Sequence, residues 1–190
     1  MLTELPNLNN LFRLLFNINS DIATEKKKEL CPLCGAPLHQ ANYPRNPAGG
    51  PQDLPDDYKI RFSLCCSRDG CRKRVTPTSV RFMGRKEHWS CVILIVITLK
   101  QNRTSGYTAE KLMRMFNISH STLYRWAKYF RDFFPNSSLW KALRGNVRSD
   151  VYNNSLPGSL LQFFINKYVF EHIGLIKCLK FLASDALFSF

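Results

Sequence analysis

Two short cysteine pairs constrain this chain more than any other feature. The first is Cys31-Pro32-Leu33-Cys34-Gly35; the second is Cys66-Ser67-Arg68-Asp69-Gly70-Cys71. A Cys-x-x-Cys turn presents both thiolates to one side, and Gly35 supplies the positive φ on which such a turn ends. A second pair completes a tetrahedron around one ion. Cys65 offers a different spacing to Cys71 and is an alternative third ligand. Cys66 is favoured because Phe62, Leu64 and Cys66 share one face of a strand. The expected cofactor is one structural Zn, held by Cys31, Cys34, Cys66 and Cys71. Four thiolates leave no open position, which argues against catalytic zinc. His39 reads as a surface residue, and Cys91 and Cys178, in apolar stretches, read as core.

The seven cysteines form an odd set. The start of the chain lacks the charged and apolar regions of a secretory signal, so a reduced, cytoplasmic setting is expected, where paired cysteines favour metal over disulfides. The strongest apolar run, Val92 to Leu99, spans eight residues, against the ~20 a membrane helix needs.

The net charge is +13 with a pI near 9.7, and the hydrophobic fraction of 45% with 14 Phe describes a folded protein. A surplus this large points to a polyanionic partner, most often nucleic acid. It is also concentrated. Eleven basic residues lie between Lys59 and Arg103, among them Arg72, Lys73, Arg74, Arg81, Arg85 and Lys86, opposed only by Asp69 and Glu87; these Lys and Arg are expected to hold the phosphates of DNA.

The expected fold class is α+β: a small β zinc ribbon, then a helical helix-turn-helix domain, then a helical tail. Residues 1–30 are a helical lead-in, with Leu8, Leu11, Phe12, Leu15 and Phe16 at helical spacing for packing. Residues 31–85 form the ribbon, with extended pieces at 38–43, 58–66 and 72–76 around a Pro/Gly loop over 44–57. Residues 86–135 carry helices over about 87–101, 108–116 and 119–133; the β-branched run in the first leaves a buried strand as an alternative. Residues 136–190 are an apolar tail with helices over 160–170 and 174–182.

Within 108–130, Thr108 and Ser119 stand at N-cap positions and Asn117 at the turn. Leu123, Trp126, Ala127 and Phe130 recur as one apolar stripe. The second helix then offers His120, Ser121, Thr122, Tyr124, Arg125 and Lys128 outward. Its N-terminal residues are placed to meet base edges, with Arg125 and Lys128 suited to guanine or phosphate.

These motifs, in this order, resemble the N-terminal zinc-ribbon and helix-turn-helix region of bacterial insertion-sequence transposases over roughly residues 31–133. The resemblance rests on Cys31-Pro32-Leu33-Cys34-Gly35, on Cys66 and Gly70 to Thr76, on the apolar helix after Trp89, and on Tyr107-Thr108-Ala109 through Arg125-Trp126. It implies binding of element DNA. That family cuts DNA with a separate acidic domain of about a hundred residues or more. Here 57 residues follow Phe133, with only Asp150, Glu171 and Asp185 as carboxylates. A zinc-dependent DNA-binding protein of mobile-element type, without its own nuclease and without an enzymatic activity of its own, is therefore expected. An active transposase using the tail carboxylates, or an RNA-binding interaction protein, are the alternatives. The expected partner is DNA, and the tail is a candidate contact for a transposase or other protein. Homo-oligomerisation stays open, and no membrane is expected.

Overall fold

Asn7 starts the first helix. Its side chain accepts the backbone N–H of Asn10, satisfying one of the donors a helix start leaves free. The helix, α1 (Leu8–Lys28), ends on three lysines that complement its C-terminal dipole. The structure, a computed structural model, describes residues 7–47, 49–50, 54–83, 88–147 and 151–183.

The cysteine-rich region follows as short strands: β1 (Leu38–Gln40), β2 (Tyr43–Pro44), β3 (Ile60–Arg61), β4 (Leu64–Cys66) and β5 (Arg74–Val75). β1, β4 and β5 form a three-stranded antiparallel sheet with β4 in the centre, and β2 pairs with β3. The expected extended pieces are thus present but broken. Between β2 and β3 lies the Pro/Gly loop. A short antiparallel pair, β6 (Phe82–Met83) and β7 (His88–Trp89), leads into the helices.

α2 (Ser90–Gln101) is buried from Ser90 through Leu99. A helix covered on every side needs no amphipathic stripe, so its β-branched run is tolerated; the helix forms and the strand alternative does not. Its first turn has no side-chain cap, but the Ser90 N–H donates to the Arg81 carbonyl at 2.8 Å. α3 (Ala109–Met115) and α4 (His120–Lys128) follow, capped by Thr108 and Ser119 as expected. Asn117 adopts φ 46° in the turn between them. A π-helical turn, Tyr129–Phe133, continues α4. Then come α5 (Ser138–Leu143), α6 (Gly158–Asn166) and α7 (Glu171–Ala183). The fold class is α+β, with small antiparallel sheets beside a larger helical body. Among the described residues no helix is long and apolar enough to cross a membrane.

The four segments expected from the sequence map onto two hydrophobic clusters. The larger one joins Leu11, Phe12 and Leu15 of α1 to α2, to the α3–α4 pair and to the tail helices. The smaller one holds Cys31, Ala36, Leu38, Leu64 and Cys66. The lead-in and the tail therefore share one core with α2–α4, and the cysteine sheet alone has a cluster of its own. Five residues, two of them cysteines, are too little apolar surface to hold such a sheet unaided.

Candidate metal centre and the basic surface

The centre is built by two turns that face each other across β1 and β4. In the first, Cys31 N–H donates to the Ala36 carbonyl at 2.8 Å and Gly35 N–H to the Cys31 carbonyl at 2.9 Å. Gly35 takes φ 70°. In the second, Gly70 takes φ 84° and Arg72 takes φ 46°. A positive φ at arginine is uncommon. Here it closes the turn, with Arg72 N–H donating to the Arg68 carbonyl at 3.2 Å. Register does the rest, because Leu38 pairs with Cys66 and carries the second turn onto the first.

The result brings Cys31, Cys34, Cys66 and Cys71 together, with all four sulfurs within 4.8 Å of one another. Cys31 Sγ lies 3.8 Å from Cys71 Sγ, and Cys34 Sγ lies 3.4 Å from Cys66 Sγ. A tetrahedral ion with metal–sulfur bonds of about 2.3 Å spaces its sulfurs about 3.8 Å apart. A disulfide would close the same gap to about 2.0 Å, and all seven cysteines are unbridged. The four can hold a metal ion.

The backbone supports the same arrangement. Cys31 accepts from the N–H groups of Leu33 and Cys34, Cys66 from Arg68 at 3.4 Å, and Cys71 from Lys73. Three of these donors lie two residues past the cysteine they serve, and they are ready to stabilise thiolates. The cysteine pattern anticipates such donors in a general way; it does not single out the Lys73 N–H, whose signal is the left-handed Arg72 between it and Cys71. Burial pushes the Cys31 thiol up, but these N–H groups and its thiol neighbours outweigh it and bring the group down to about 7. Burial first, then crowding by the other thiols, pushes Cys66 up to about 12 despite the Arg68 N–H. Sulfurs packed this closely do not all ionise without a cation among them. The remaining buried thiols are core, as expected: burial drives Cys91 up to about 12 and raises Cys178 as well.

The pleat separates Cys66 from Cys65. Cys65 pairs with His39 on one side and with Arg74 on the other, on the face opposite Leu38 and Cys66. Its Sγ donates to the Arg72 carbonyl at 3.4 Å. Cys65 and His39 are therefore both outside the cluster.

The basic residues divide. Arg72 and Lys73 are exposed beside the cysteine cluster. Arg74 is exposed but partly engaged, donating to the Ala41 carbonyl at 3.1 Å and to Ser63 Oγ at 3.0 Å. Arg81, expected to hold phosphate, is corrected: its relative exposure is 0%. Its guanidinium donates to the Tyr58 carbonyl at 2.6 Å and to the Ile60 carbonyl, and lies over the rings of Phe16, Phe62 and Phe82. Burial, with Arg61 nearby, lowers its pKa to about 10. Sequence alone cannot distinguish this arginine from its exposed neighbours, because its environment comes from α1 and β3. Arg85 and Lys86 lie outside the described residues.

On α4, Leu123 and Trp126 face the core, and Thr122, expected on the outer face, is buried with them, its hydroxyl beside the Ser119 cap and the Arg125 guanidinium; His120, Ser121, Tyr124 and Arg125 are exposed. Arg125 Nη2 donates to Thr122 Oγ1 at 3.2 Å. Lys128 is half-buried and lies 3.1 Å from Asp132 Oδ2. No family model, curated protein or solved structure matches the chain.

Proposed function

We propose that this chain is a zinc-dependent DNA-binding protein in which the cysteine sheet is a zinc ribbon and α3–α4 a helix-turn-helix. The observation that carries the reading is the outer face of α4. A capped, core-anchored helix turns His120, Ser121, Tyr124 and Arg125 to solvent and has no acidic residue from His120 through Lys128. A helix of this kind fits the major groove, with donors, acceptors and an aromatic ring near base edges. Zinc suits the other surface because four thiolates at tetrahedral spacing form its usual structural site. The ion would fix the turns that carry Arg72, Lys73 and Arg74, which suit phosphate contact. The transposase resemblance extends the reading to an accessory role for a mobile element. Of the three tail carboxylates, Asp150 and Asp185 lie outside the described residues, and Glu171 alone does not make a two-metal site.

Selection of bound duplexes from a random pool, using the zinc-loaded full chain, tests the proposal. Enrichment of one short motif, with single-stranded RNA failing to compete, is the expected result. Recovery of no motif, or preferential competition by RNA, overturns it.

A further inference from the structure

The C-terminal end of α4 carries an arrangement that base reading and zinc binding leave unused. Immediately after Lys128 the chain makes the π-helical turn Tyr129–Phe133, a feature that recurs at functional positions in helices. Asp132 in that turn collects two cations. Lys128 Nζ lies 3.1 Å from its Oδ2. Arg131 grips it with both arms of its fork, Nε to Oδ1 at 2.7 Å and Nη2 to Oδ2 at 3.2 Å. Arg131, then Lys128, holds the Asp132 carboxyl down to about 2, so it stays charged at any working pH.

Resting on the reading of α4 as the DNA-facing helix, we propose that Asp132 is a specificity residue: it masks Lys128 and Arg131 from phosphate and confines the attractive charge to the base-reading end. Phosphate contacts carry no sequence information, whereas base contacts do. Two unmasked cations at the far end of the helix would strengthen binding to every duplex alike.

The test uses zinc-loaded full-length protein, a selected site and a random duplex, across a salt series. Asp132→Asn should raise random-duplex affinity on the order of tenfold at 50 mM salt, and steepen the salt slope by about one to two. The selected-to-random ratio should fall. Asp132→Glu, which keeps the charge, should behave as wild type. The triple change Lys128→Gln, Arg131→Gln and Asp132→Gln, which leaves no uncompensated carboxylate, should keep the wild-type slope, and it decides the question even where Asp132→Asn folds poorly. A slope lowered by about two in that triple variant overturns the mask, as does a silent Asp132→Asn while Arg125→Ala still weakens the selected site. If Arg125→Ala and His120→Ala are silent as well, the DNA-facing assignment of α4 fails first and takes the mask with it.

Discussion

The Arg81 guanidinium stands 4.9 Å from the centroid of the Phe16 ring, so a cation from the basic segment seals the joint between α1 and the cysteine-rich region. Two of its donors reach the carbonyls of Tyr58 and Ile60, which precede the central strand. Lysine has the charge but not the fork. Arg81→Lys should leave one carbonyl without its partner and destabilise the protein by about 1–3 kcal/mol, read as a fall in Tm of several degrees. The salt slope of DNA binding should not change. A lysine variant with native Tm and altered salt slope would return Arg81 to the surface role its sequence context suggests.

Metal content should separate two adjacent cysteines. Cys66 is buried among the four sulfurs, and Cys65 faces the Arg72 carbonyl on the opposite side of the strand. The purified chain should hold about one zinc. Cys66→Ser should lose it, and Cys65→Ser should keep it. Elemental analysis of the two variants settles the matter; zinc retained by Cys66→Ser would sink the assignment.

Removing that zinc should act locally. The sheet's own cluster is Cys31, Ala36, Leu38, Leu64 and Cys66, while α2–α4 and the tail share the larger core. Cys34→Ser or a strong chelator should therefore disorder residues 31–75, with α4 and α6–α7 retaining most of their hydrogen-exchange protection. Loss of protection throughout the chain would mean that the two clusters unfold as one.

The cysteine centre is legible in sequence because its determinants are local. The ligand spacing, Gly35 and the alternation of Leu64 and Cys66 on one strand face are all short-range signals. The caps at Thr108 and Ser119 and the turn at Asn117 are readable for the same reason. What sequence does not show depends on distant segments. Arg81 reads like Arg72 until Phe16, Tyr58 and Phe62 surround it. The division into four segments follows composition, yet Leu11 and Leu179 belong to one core. The helix expected over 119–133 already sets Lys128 and Asp132 four residues apart, a spacing at which opposite charges meet, but the π turn has no periodicity signal of its own, and sequence gives no hint of the bidentate grip of Arg131 on its neighbour Asp132.

Gly174 marks where the tail helices are tightest. A Cβ built there would lie 2.6 Å from Ile165 Cα and 2.9 Å from Ile165 N. Those are backbone atoms of α6 and cannot swing aside as a flexible side chain would. Gly174→Ala must separate α6 from α7 and should destabilise by about 1–3 kcal/mol, although alanine is ordinarily the better helix former. A thermal melt at or above the wild-type Tm would show that the two helices do not approach as described.

The proposed division between reading and holding DNA can be measured with two kinds of variant. Tyr124 is 54% exposed on α4, and His120 begins that helix just after the Ser119 cap. The N-terminal end of a recognition helix meets base edges first. Lys73 and Arg74 instead sit on the cysteine sheet, where the backbone is tied by β4–β5 pairing and by the Lys73 N–H to Cys71. No helix enters a groove from there, so these two cations suit phosphate. Tyr124→Ala or His120→Ala should therefore weaken the selected site by roughly 1–3 kcal/mol and random duplex very little. Lys73→Ala with Arg74→Ala should weaken both duplexes alike and flatten the salt slope by about two. Arg74 also donates to Ala41 and Ser63, so the pair should show a small loss of Tm that Lys73→Ala alone does not. Binding curves on the two duplexes are sufficient. Specificity lost in the sheet variants and kept in the helix variants would reverse the roles, and silence in both would make α3–α4 a packing hairpin.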